Sequence, residues 1–185
     1  TYRLGTGTNN LYVMSDVLVD GSTPGSKVTI GAEWALNGNG GVVLYGNNTY
    51  TGGTVVKGPA TTIASNSTTF AAANSAASPT LYVRAGNEKT PLGTGLVDVY
   101  GLIIFDTATG SAVLGNDGVS GANANEYAFH PTAELRFEDS TAFNSGTGAT
   151  GGRWADTAPI FLDGAYLNYR GNAAGTTEVI GALSF

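Results

Sequence analysis

The chain has no cysteine, one methionine, one histidine, three lysines and no long apolar run. Each shortage closes a class of function. Without cysteine there are no disulfides, thiolate nucleophiles or cysteine-ligated zinc sites. Eight Lys and Arg against 14 Asp and Glu, a formal charge of −6, offer no basic face to a phosphate backbone, so no nucleic-acid partner is expected. No stretch approaches the ~20 apolar residues of a membrane helix, so no membrane span is expected, and no charged-then-apolar signal peptide opens the chain. The chain starts at Thr1 rather than Met, as expected of a processed or excerpted segment of a longer chain or fibre.

What is present is equally uneven. Gly, Thr, Asn and Ser supply 79 of the 185 residues, all low on the helix scale, which argues against a helical protein. With 42% hydrophobic and 10% aromatic residues, the chain carries too much apolar side chain to stay disordered. Its length suits a single domain, 1–185, with a sizeable core.

Short apolar or alternating runs, separated by Gly/Asn/Thr/Asp clusters, predict an all-β fold. The expected strands are Asn10–Val13, Val17–Val19, Lys27–Ile30, Gly41–Leu44, Thr54–Lys57, Thr61–Ala64, Thr80–Arg84, Gly95–Tyr100, Leu102–Phe105, Ala133–Phe137, Ile160–Leu162, Ala165–Tyr169, Glu178–Ile180 and Ala182–Phe185. Turns such as Asp20-Gly21, Gly46-Asn47-Asn48 and Asp163-Gly164 use residues that tolerate positive φ. Two architectures accommodate this pattern, an antiparallel sandwich and a right-handed parallel β-helix (β-solenoid), and the short faces with tight corners lean toward the second. A polar stretch, about 106–152, breaks the rhythm and reads as a loop insertion, with a strand-like patch at Ala133–Glu138 and a short helical turn around Asn123–Tyr127. Phe70–Ser78 reads as a further loop.

Side chains with chemistry are sparse. Gly21-Ser22-Thr23-Pro24-Gly25-Ser26-Lys27 lacks the spacing of a phosphate-binding loop and reads as a turn before a strand. Asn116-Asp117-Gly118 and the Gly93, Gly95, Asp98 group match no calcium-loop pattern; ordinary turns are expected, with a structural cation as the alternative, and no cofactor. Glu138, Asp139, Asp156 and Asp163 are the carboxylates from which a glycan-cleaving pair would be drawn, and a solvated face is the plainer reading. His130, followed by Pro131, has no recognisable Ser or Asp partner in sequence and reads as a loop residue. Trp34, Tyr45, Tyr50, Tyr82, Tyr100, Trp154, Tyr166 and Tyr169 are expected in core or lateral contacts, with stacking on sugar rings as the alternative. No catalytic, cofactor-binding or metal-binding residue is assigned.

The segment Val42-Val43-Leu44-Tyr45-Gly46-Asn47-Asn48-Thr49-Tyr50-Thr51-Gly52-Gly53-Thr54-Val55-Val56 closely resembles the autotransporter-associated β-strand repeat, whose core reads strand, Gly, then N-T-Y-T-G-G-T-x-V. Leu92-Gly93-Thr94-Gly95-Leu96-Val97-Asp98-Val99 resembles its L-G-x-G-x-V-x-V strand. Ala155-Asp156-Thr157-Ala158-Pro159-Ile160-Phe161-Leu162-Asp163-Gly164-Ala165-Tyr166-Leu167 resembles a later element, as do Gly171-Asn172-Ala173 and Glu178-Val179-Ile180-Gly181-Ala182-Leu183. The resemblance spans about 42–185, and Gly58-Pro59-Ala60 departs from it. It implies a parallel β-helix in large bacterial surface or secreted proteins, hence an extracellular or cell-surface, structural, non-enzymatic role.

Several expectations follow. Gly52 and Gly53 form a structural corner where a Cβ would clash. At a family-like 20 to 25 residues per coil the chain makes on the order of eight coils, a body ~40 Å long. Tyr2 and Leu4 at one end, and Leu183 and Phe185 at the other, are strand-like with no polar cap, so the expected partner is the chain itself, in head-to-tail assembly. An adhesin that grips glycan or a cell surface and a glycan-cleaving β-helix are the rival functions.

Overall fold

The computed structural model describes residues 1–5, 9–14, 16–31, 41–57, 80–83, 91–106, 126–138, 143–144, 159–171, 176–177, 180 and 182–185. No helix occurs among them, and every strand pairing is parallel. Sheet A contains β1 (Tyr2–Leu4), β3 (Val28–Ile30), β5 (Thr54–Val56), β7 (Val97–Val99), β9 (Tyr127–Phe129), β12 (Ile160–Leu162) and β15 (Leu183–Ser184), in that spatial order. Sheet B contains β2 (Leu11–Val13), β4 (Val42–Leu44), β6 (Thr80–Val83), β8 (Leu102–Asp106), β10 (Glu134–Glu138) and β13 (Tyr166–Arg170). A two-stranded patch joins β11 (Phe143–Asn144) to β14 (Thr176–Thr177). The chain thus alternates between two parallel sheets, each strand from β3 to β10 lying beside the strand two before it and each of β12 to β15 beside the strand three before it, β11 and β14 forming the separate patch.

Register explains the core. Along sheet A, Tyr2, Val28, Thr54, Val97, Tyr127, Ile160 and Leu183 stand in one column; along sheet B, Leu11, Val42, Leu81, Ile103, Leu135 and Leu167 do the same. These columns, with those two residues further on, face one shared core in which Val28, Leu44, Val56, Phe105, Phe129 and Phe137 are buried. Period-two alternation turns the middle residue of each strand outward. On sheet B that outer face is itself buried at its centre, where Leu102 and Ile104 pack with Tyr82, and Glu134 and Arg136 lie beside them in register.

The partners in register are 26 residues apart at Tyr2 and Val28, but 43 apart at Thr54 and Val97 and 22 apart at Thr80 and Leu102. Most periods exceed the expected 20 to 25, because added residues are absorbed between strands without disturbing register. Seven strands at ~4.8 Å span ~29 Å, shorter than the expected body.

Three expectations change. Val17–Val19 is not a strand: Leu18 is buried, but its N–H goes to the Asn48 side chain and its C=O to Thr49 N–H, so the run forms a corner. Tyr127 starts a strand rather than a helical turn, because pairing with β7 and β12 outweighs local preference. Within the stretch expected as an insertion, 126–138 carries β9 and β10, regular members of the two sheets. Thr61–Ala64, Phe70–Ser78, Asn116–Gly118, Trp34, Trp154, Asp139, Asp156 and residues 178–179 lie outside the described residues.

Candidate functional site

The corner at Gly52-Gly53 is built from its neighbours' backbones. Gly53 has φ +81°, and a Cβ there would stand 2.4 Å from the Leu96 carbonyl oxygen; a Cβ on Gly52 would meet the Gly25 carbonyl oxygen at 2.3 Å. Neither obstacle is a flexible side chain, so any substituent has to displace an adjacent turn. Hydrogen bonds clasp the same corner. Asp20 accepts from Ser26 N–H at 2.7 Å, Thr51 Oγ1 at 2.6 Å and Thr51 N–H at 3.2 Å. The Thr51 hydroxyl bond, with the Thr51, Ser26 and Gly25 N–H groups behind it, outweighs desolvation and lowers the Asp20 carboxyl to about 2. One turn on, Asn48 accepts from Leu18 N–H at 3.1 Å and donates to the Pro91 carbonyl at 2.8 Å, both buried. Tyr50 is fully buried and shares a 2.5 Å hydrogen bond with Thr54 Oγ1; burial pushes its phenol well above the ordinary range, so it stays neutral.

Ionisable side chains meet beside β7 and again on the outer face of sheet B. His130 Nε2 lies 2.5 Å from Asp98 Oδ1, and the His130 ring stacks on Tyr100 with centroids 3.9 Å apart. His130 lies just after β9, outside the strands, as a loop residue does, and register brings it beside β7, whose Asp98, 32 residues away, is a partner the sequence alone did not show. On the outer face of sheet B, Arg136 donates to Glu134 at 2.7 Å and to Glu138 at 3.3 Å, Asn168 donates to Glu134 at 3.0 Å, and Arg170 donates to Glu138 at 2.9 Å. Burial alone would pull the Arg136 guanidinium down, but the bond and charge of Glu134, then of Glu138, outweigh it and raise it. Glu138, one of the carboxylates considered for acid/base work, is thus held by two arginines. Among the described residues no three His, Asp or Glu converge as metal ligands.

The end strands differ from the rest in a single respect. Their inward columns continue the core, yet Leu11 is 37% exposed, Leu167 42% and Leu183 38%, whereas Val42, Ile103 and Leu135 in the same sheet B column are buried. Tyr2 and Leu4 are half-buried against the core, Tyr2 also donating its hydroxyl to the Val19 carbonyl at 2.8 Å, and Phe185 is 88% exposed. Each end therefore presents apolar side chains beside the outermost strands of both sheets. Sequence reasoning located these ends but missed the Asp98–His130 and Glu134–Arg136 groups, which need cross-strand register to become visible.

No protein-family model, curated protein or solved structure matches the chain.

Proposed function

We propose that the chain is a right-handed parallel β-solenoid with a structural, extracellular role, a building block of a bacterial surface fibre or large surface protein whose ends stack on further units. The observation that carries this reading is the exposure of Leu11, Leu167 and Leu183 in columns that are buried one strand further in. Such positions call for one more strand above them, and an edge of parallel strands accepts another with the same polarity. The alternation of strands between two parallel sheets over one core supports the solenoid, and the resemblance of residues 42–56 to the autotransporter-associated repeat supports the bacterial surface setting. The side-chain chemistry on view, a clasped corner and paired ions, serves cohesion between strands. A cryo-electron micrograph of the native material tests the reading: Tyr2–Leu4 and Leu183–Phe185 are expected against neighbouring strands of another unit. Ends covered by the chain's own loops would overturn it.

A further inference from the structure

The outer faces of the two sheets differ. On sheet B, Leu102 and Ile104 are buried, whereas on sheet A the outward residues Leu96, Tyr100 and Phe161 are 40–47% exposed. Lys27 and Glu126 accept from Tyr2 and Val97 N–H, and Lys57 and Asp163 N–H donate to Ile30 and Phe129, so the ladder runs one residue past the strands and those flanking side chains turn outward too. Charge is divided along this face. The outward positions of β1, β3 and β5 and their flanks hold Arg3, Lys27 and Lys57 and no carboxylate; those of β7, β9 and β12 hold Asp98, Glu126 and Asp163 and no Lys or Arg. Arg3, Lys27, Glu126 and Asp163 are exposed, with no side-chain hydrogen bond or ion pair among the described residues.

We propose that this face pairs side by side with the same face of a second copy of the chain, the coils of the two running in opposite directions. Two identical faces that meet are related by a two-fold axis in the plane between them, and charge decides its direction. An axis along the solenoid sets the cationic half on the cationic half. An axis along the strands, passing between β5 and β7 where the sign changes, sets β5 on β7 of the second copy, β3 on β9 and β1 on β12. Register then puts Lys27 opposite Glu126, Arg3 opposite Phe161 with Asp163 beside it, and Lys57 opposite the ring of Tyr100, each contact occurring twice. The pairing is independent of what lies beyond either end. Six strands at ~4.8 Å and five residues at ~3.3 Å make a patch of roughly 25 by 15 Å, well under the ~800 Å² per partner of a standard interface, so a single pairing is weak and its selectivity is electrostatic.

The test is sedimentation equilibrium of the full 185-residue protein up to millimolar concentration. A monomer–dimer equilibrium is expected, with a dissociation constant of about 0.1–1 mM at low salt, weakened severalfold by 0.5 M salt. Lys27→Glu and Glu126→Lys, both at exposed positions, should each weaken it at least fivefold with an unchanged melting temperature. An equimolar mixture of the two variants should recover the association, because both charge contacts are then again between opposite signs. Monomer throughout the range, a mixture no tighter than either variant alone, or open-ended association that neither variant alters overturns the pairing, the last of these assigning self-association to the ends instead.

Discussion

In the first half of the chain Asn10, Asp16, Asp20 and Asn48 each accept a backbone N–H from a neighbouring turn, whereas in the second half Asp98 faces the His130 side chain and Glu134 and Glu138 face arginines. Both sets bridge successive passages of the chain, with partners about 30 residues apart in most cases. They do different things. A side chain bonded to backbone fixes the path of the chain itself, and losing it strands a polar group that nothing else satisfies. A pair of side chains fixes only the side chains, and both can be exchanged together. The corners should therefore resist substitution more than the ion pairs, except where the pair is buried.

The largest effect is expected at the corner. Gly53→Val combines positive φ with a carbonyl at 2.4 Å and should cost about 3–6 kcal/mol, read as a steep fall in the urea midpoint. A midpoint within error of the wild type would show that the corner can be rebuilt around a side chain. Next comes the buried pair Glu134–Arg136: Arg136→Met leaves Glu134 buried without its counter-ion and should cost about 3–5 kcal/mol, whereas Glu134→Leu with Arg136→Met should restore most of the loss. If the double variant is no better than the single one, the ions organise sheet B in a way apolar groups cannot. Asn48→Ala leaves Leu18 N–H and the Pro91 carbonyl without their buried partner, a loss of about 2–3 kcal/mol by thermal or chemical denaturation. An effect below that of an exposed surface substitution would equate corner and ladder.

The smallest effect depends on pH. Asp20 is held at about 2 in the folded protein and returns to about 4 when unfolded, so its contribution is complete above pH ~4 and is lost as pH falls toward 2. Melting temperature against pH should fall less steeply across that window in Asp20→Asn than in the wild type. Parallel slopes would mean that the Thr51 clasp does not discriminate between the charged and neutral acid.

Much of this was legible in the residues. Val42–Leu44, Thr54–Val56 and Ile160–Leu162 are triplets of apolar or β-branched residues with Gly or Asp at one end, and each is a strand at those positions. Val17–Val19 looks the same in one dimension but pairs with no strand among the described residues, and the Leu18 N–H and C=O go to the Asn48 side chain and the Thr49 N–H. Tyr127–Phe129 is too short and too embedded among small polar residues to declare itself; its partners Val97–Val99 and Ile160–Leu162 make it a strand. His130 and Asp98 are unrelated in sequence until the register of β7 and β9 is known, and nothing local distinguishes Arg136, fully buried, from Arg170, exposed in the adjoining strand. Local pattern identifies the strands; the chemistry arises between them.

The unequal periods have a mechanical consequence. Among the described residues every strand pairing joins positions 22 to 43 apart, and no pairing ties the first strands to the last. Stability in such an array is a sum over neighbours, so order can spread strand by strand from whichever end forms first without waiting for the far end. Pulled apart, it yields in unequal steps, the largest at the β5–β7 pairing, whose partners Thr54 and Val97 stand 43 residues apart.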